Sequence, residues 1–145
     1  MGLLFGRFGY LVAARGDITA TFRLDLIEDV RPTGTVFEAP KDWNMKDWAA
    51  NSFGIYHGDD ILDIQLRFSG EAAKRAEKVR FHPSQKMRRI RGALVVNLQC
   101  QGHRELIHEQ CHPDWLGQVQ IEAPASLRTE FNDYLDQLRS VTAKV

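Results

Sequence analysis

At 145 residues, with 43% hydrophobic and 26% charged content, the chain can fold as one domain or two small ones and bury roughly two thirds of its unfolded surface. Nineteen basic residues balance nineteen acidic ones, so the formal net charge is zero; this argues against a whole-molecule grip on duplex nucleic acid and makes any anion site local. No apolar run reaches the roughly 20 residues of a bilayer-spanning helix, residues 1–7 lack the features of a signal peptide, and two cysteines, Cys100 and Cys111, are too few for a disulfide framework. A globular, cytoplasmic protein with no membrane partner is expected.

The first elements in chain order are two short strands. Gly9-Tyr10-Leu11-Val12 and Thr21-Phe22-Arg23-Leu24-Asp25-Leu26-Ile27 flank a turn at Arg15-Gly16-Asp17 and predict a hairpin. Alternation sets Tyr10, Val12 and Ala14 against Leu11 and Ala13. On the second strand it sets Phe22, Leu24 and Leu26 against Thr19, Thr21, Arg23 and Asp25, which puts Arg23 on a polar face. A guanidinium fixed on a strand suits phosphate or carboxylate, because its fork of N–H donors matches paired oxygens. The alternative is a solvated arginine paired with Asp25 or Asp17. Gly2, Gly6 and Gly9 have the wrong spacing for a phosphate loop and read as turn glycines.

A further strand is expected around residues 27–36, then a short helix from about Asn44 to Ala50 with Asn44 as its N-cap. Trp43 and Trp48 are expected to pack at one end of a barrel or at a junction. Punctuation at Gly58-Asp59-Asp60 places a module boundary between residues 57 and 58.

The second module alternates elements. Leu62, Ile64, Leu66 and Phe68 share one face of a strand, with Asp63, Gln65 and Arg67 on the other. Ser69 caps a helix with Ala72, Ala73, Ala76 and Val79 along one stripe. A strand from Lys86 to Ile90, a tight turn at Arg91-Gly92 and a strand with Leu94, Val96, Leu98 and Cys100 inward predict a hairpin. A helix from His103 to Gln110, a strand from Val119 to Ile121 and a last helix follow; that helix carries Leu127, Phe131, Tyr134, Leu135, Leu138 and Val141 at helical spacing. The order β-α-β-β-α-β-α suggests a ferredoxin-like sheet with helices on one face.

Several motifs in register resemble the WYL domain of bacterial transcriptional regulators. The family is named for Trp-Tyr-Leu, and its next strand typically reads Phe-Arg-Leu-Asp-Arg-Ile; here Tyr10-Leu11 precede Phe22-Arg23-Leu24-Asp25 and Ile27, with Gly9 at the tryptophan position and Leu26 at the second arginine. Phe37-Glu38-Ala39-Pro40, Ser52-Phe53-Gly54-Ile55-Tyr56-His57-Gly58, His82-Pro83-Ser84-Gln85 and Glu122-Ala123-Pro124 with Leu127-Arg128 keep the family's order over nearly the whole length. The resemblance implies an α+β protein: a truncated SH3/Sm-like β-barrel, residues 1–57, followed by the family's ferredoxin-like C-terminal extension, residues 58–145. It implies ligand binding at Tyr10, Leu11 and Arg23, with Arg7 beside them, and a homodimer. The ligand would be single-stranded nucleic acid or another small anion, and operator DNA would be reached only through a helix-turn-helix domain that these residues do not contain. An incomplete barrel would expose an unpaired strand edge and apolar surface, which favours dimerisation or strand exchange.

Other residues admit two readings. The run Lys86, Arg88, Arg89 and Arg91 splits between two strand faces; it is either a charged edge or, through Arg89 and Arg91, a contact for nucleic-acid phosphate. His108 and His112, with His103, Cys111, Glu105 and Glu109 nearby, have metal-like spacing, but Leu106 and Ile107 mark the opposite side as the buried one, so no metal and no cofactor is expected. No nucleophile motif and no carboxylate pair in an apolar setting occurs, so an enzyme is not expected.

Overall fold

A computed structural model describes residues 2–6, 8–38, 41–55, 57 and 60–142. The protein is α+β, with two antiparallel sheets and four helices among the described residues. Strands β1 (Gly2–Phe5), β2 (Gly9–Arg15) and β3 (Ile18–Arg23) form a meander in that order. The β2–β3 turn is the two-residue type, with Gly16 at φ 61°, where a glycine takes the left-handed backbone without strain. Strand β1 has no counterpart in the sequence reading, because four residues interrupted by glycine carry no resolvable alternation.

Among the described residues the first sheet is open, and no closed barrel forms. Two expectations for this half are corrected. The second strand ends at Arg23 and turns into a 3-10 segment, Leu24–Leu26, so Leu24 and Leu26 do not extend the face of Phe22. Residues 27–36 form no strand; Val30 and Val36 are exposed, with no neighbouring strand to pair the backbone. Pro32, which has no backbone N–H to donate, and Gly34, at φ 74°, both work against a strand there.

Helix α1 (Met45–Ala50) matches its predicted cap: the Asn44 side chain accepts from the Asp47 N–H at 2.7 Å. Strands β4 (Leu62–Phe68), β5 (Lys86–Ile90), β6 (Ala93–Cys100) and β7 (Val119–Ala123) form the second sheet in the order β5-β6-β4-β7, every neighbouring pair antiparallel. Helices α2 (Gly70–Ala76), α3 (His103–Gln110) and α4 (Ala125–Thr142) supply Ala72, Ala73, Ala76, Leu106, Ile107 and Leu127 to one core beneath that sheet. Ile64, Leu66 and Phe68 meet Leu94, Val96 and Leu98 there, as alternation requires. Ser69 does not cap α2 through its side chain; the Gln118 side-chain oxygen accepts from the Ala72 N–H instead, at 3.1 Å.

The expected boundary at 57/58 falls beside Gly58, which lies outside the described residues with Asp59 and Tyr56. Phe53, however, belongs to the core of the second sheet, and its N–H donates to the Gln101 carbonyl at 2.8 Å. No helix among the described residues is long and apolar enough to cross a membrane. The far half of α4 leaves the core, with Leu138 and Val141 exposed. Leu66→Ala should therefore cost about 2–5 kcal/mol of unfolding free energy, measured by urea denaturation, while Leu138→Ala should stay within about 0.5 kcal/mol.

Candidate functional site

Register decides what Arg23 stands beside. Tyr10 of β2 lies directly opposite Arg23, and Val12 opposite Thr21, so Leu4, Tyr10, Val12, Thr21 and Arg23 share a face. That face turns inward: Tyr10 and Val12 are buried, and a Cβ on Gly2, opposite Val12, would meet the Met45 sulfur. Arg23 thus shares the protected face of the sheet, which corrects the polar face expected from alternation alone. Leu11 pairs with Leu3 and Phe22 on the outward face, away from Tyr10. Arg7 lies outside the described residues.

The guanidinium has a defined setting. Its carbon lies 3.9 Å from the centre of the Phe8 ring, a cation–π distance. Its Nε and Nη2 donate to the two Asp25 oxygens at 3.0 and 2.5 Å. The 3-10 segment makes this fork possible, because it folds residue 25 back onto the end of β3. The hydrogen bond from Arg23 lowers the Asp25 carboxyl below the usual carboxylate range. The pairing with Asp25 is the alternative that the sequence left open. Gly9 lies beneath Leu24: a Cβ there would stand 2.9 Å from the Leu24 side chain.

The basic strand divides differently from the expected pairing of Arg89 with Arg91. Arg89 turns to the helix side and holds Glu77 through two bonds of 2.9 and 2.6 Å. Arg91 occupies the β5–β6 turn at φ 48°. Lys86 and Arg88 share the other face of the sheet, which carries no helix. On α3, His108 rests on Tyr134 and His112 on Trp115, at 5.2 and 4.9 Å between ring centres. Glu105 is not a solvent residue, for its carboxylate accepts from the Ile55 N–H at 2.5 Å. Among the described residues no three His, Cys, Asp or Glu side chains gather as metal ligands.

The sequence offered Trp48 for a barrel end or a junction, but Ser52 and His57, which meet at the junction of the two halves, were missed. The Ser52 hydroxyl lies 2.7 Å from His57 Nδ1, and the His57 ring packs on Trp48 at 3.7 Å. In His82-Pro83-Ser84-Gln85, His82 is 4% exposed with its Nδ1 2.8 Å from the Ser84 hydroxyl. Gln85 holds the turn by accepting from the Phe81 N–H at 2.6 Å and donating to the Val79 carbonyl at 3.1 Å. The motif therefore serves as a hydrogen-bonded knot, for which turn chemistry was a signal but His82 burial was not.

No protein-family model and no curated protein sequence matches the chain.

Burial lowers the pKa of His57, against the opposing pull of a hydrogen bond with Gln101, and lowers that of His82 against main-chain groups of Ala50 and Ser52. The unfolded chain then binds more protons than the fold below pH 6.5, the ordinary histidine value. Stability should be full above that pH and fall below it, read as a dropping urea midpoint, and combining His57→Asn with His82→Asn should flatten the slope. Burial also pushes the Cys100 thiol up to about 12. Alkylation of Cys100 at neutral pH should therefore require denaturant, as peptide mapping by mass spectrometry would show.

Proposed function

We propose that the chain is the ligand-sensing and dimerising portion of a bacterial WYL-type transcriptional regulator, with an anionic ligand of nucleic-acid or nucleotide-like chemistry. The order of the motifs supports the family reading. The strand order β5-β6-β4-β7 across β4-α2-β5-β6-α3-β7 supports a ferredoxin-like extension, and the meander β1-β2-β3 supports part of an SH3/Sm-like barrel ahead of it. In such a regulator the chain would be cytoplasmic and have no catalytic step. It would reach operator DNA through a helix-turn-helix domain.

The observation that carries the ligand reading is the Arg23 fork. A guanidinium held at a strand end, backed by Phe8 and facing a carboxylate, is already arranged for paired oxygens. Asp25 is half exposed, so an incoming phosphate can replace it without entering the core. Tyr10 fixes the opposite strand position, and the ligand would act on the dimer only by its difference in affinity for two arrangements.

A dimerising module without a ligand is the second reading. The outward face of the first sheet favours it, since Leu3, Phe5 and Ile18 are more than half exposed and would be covered in an assembly. The test is fluorescence anisotropy with a short labelled single-stranded oligonucleotide, over a range of salt. Asp25→Asn should tighten binding several-fold by freeing the fork. Arg23→Ala should weaken it about tenfold or more and reduce the salt slope by about 0.7. Wild-type binding by both variants, with an unchanged oligomeric state, would leave the dimerising module.

A further inference from the structure

The helices α2, α3 and α4 all pack on one face of the second sheet, and the opposite face holds a cleft of about 410 Å³. Its floor is a row across all four strands: Lys86 of β5, Asn97 of β6, Gln65 of β4 and Ala123 of β7 stand side by side. Gln99 and Asp63 form the next row, and Ser84 closes one end, its hydroxyl donating to the Gln99 carbonyl at 3.0 Å and accepting from the Gln99 N–H at 2.9 Å. Its volume lies near the lower end of the range for small-molecule sites.

The polar groups of this cleft are held by one another and keep capacity for a guest. Gln65 donates its amide N–H to Asn97 at 2.8 Å, and Gln99 donates to Asp63 at 2.5 Å. These bonds fix both amide planes. The Gln65 carbonyl oxygen and the Asn97 amide N–H groups have no partner among the described residues, and the second Asp63 oxygen is in the same position.

The cations of the sheet are not all paired. Arg67, on this same open face, is paired with Glu122, and Arg89, on the helix side, with Glu77. Lys86 and Arg88 have no acidic partner among the described residues. They are two residues apart on one strand face, about 7 Å along it. The cleft thus presents Lys86 at one side, with Arg88 just outside its lining on the same strand face, fixed amides in the middle and a carboxylate beyond them.

We propose that this cleft binds a small organic oxyanion that also carries N–H or O–H donors. Lys86 and Arg88 take the phosphate or carboxylate, the Asn97 amide donates to a neighbouring oxygen, and the Gln65 carbonyl and Asp63 accept from the donors. No aromatic ring lines the cleft, so recognition is by charge and hydrogen bonds and does not require a stacked base. The site is separate from Arg23 and does not depend on the function proposed above.

The test is a 15N-resolved NMR titration of the full chain with adenosine monophosphate and, separately, with malate, each to about 10 mM. One of the two should shift the amide resonances of Ser84, Lys86, Asn97 and Gln99; which one responds tells a phosphate ester from a carboxylic acid. Combining Lys86→Gln with Arg88→Gln, both on the surface, should weaken that binding about tenfold or more, while Arg23→Ala leaves it unchanged. Silence toward both probes, equal response to both, shifts that map elsewhere, or loss with Arg23→Ala in place of the Lys86 and Arg88 changes would overturn the proposal.

Discussion

The row formed by Met87, Val96, Leu66 and Ile121 across the second sheet is the constraint on which the other features depend. Because these side chains must face the helices, their neighbours in sequence must face away, and a slip of one residue would invert both faces. Burial of Leu66, Val96 and Leu127 therefore places Gln65, Asn97 and Lys86 together on the open face. The polar cleft follows from the apolar core.

The same core reaches into the first half of the chain. Phe53 enters it, and the strand-like bridge between Ser52 and Gln101 ties the end of α1 to the residue after β6. Gly54, at φ 78°, sits where the Glu105 carboxylate comes within 2 to 3 Å of any Cβ position, so a larger residue would have to push Glu105 off the Ile55 N–H. His57 and His82, whose pKa values burial lowers, flank this junction. A change of protonation there acts on the contact between the two sheets, whereas the surface pairs Lys74–Glu71 and Arg139–Asp136 have no such reach.

The two groups of cations illustrate how tertiary pairing assigns roles to residues of one type. Arg89 and Arg23 both form two-bond forks with carboxylates, Glu77 and Asp25. Arg89 ties β5 to the end of α2, a structural use of its charge. Arg23 pairs with Asp25 within its own turn, at the end of β3. Lys86 and Arg88 differ from both in having no paired carboxylate among the described residues.

Local pattern determined the second half of the chain. Strict alternation in β4 and β6, the Arg91-Gly92 turn and the stripe of α4 were all legible, as was the Asn44 cap in the first half, because each depends on neighbours two to four residues away. The position of Arg23 was not, since the inward face of a strand is set by whatever packs on it, here the α1 side of the first sheet. Residues 27–36 carry Asp29, Pro32 and Gly34, which disfavour a strand, and among the described residues they pair with neither sheet. Likewise the run from Lys86 to Arg91 announced a basic strand, but its division into a partner for Glu77 and an open-face pair came from the placement of α2. Sequence settled which residues alternate; three-dimensional packing settled which side of each alternation meets the core, because burial is a property of the whole assembly of elements and not of any one of them.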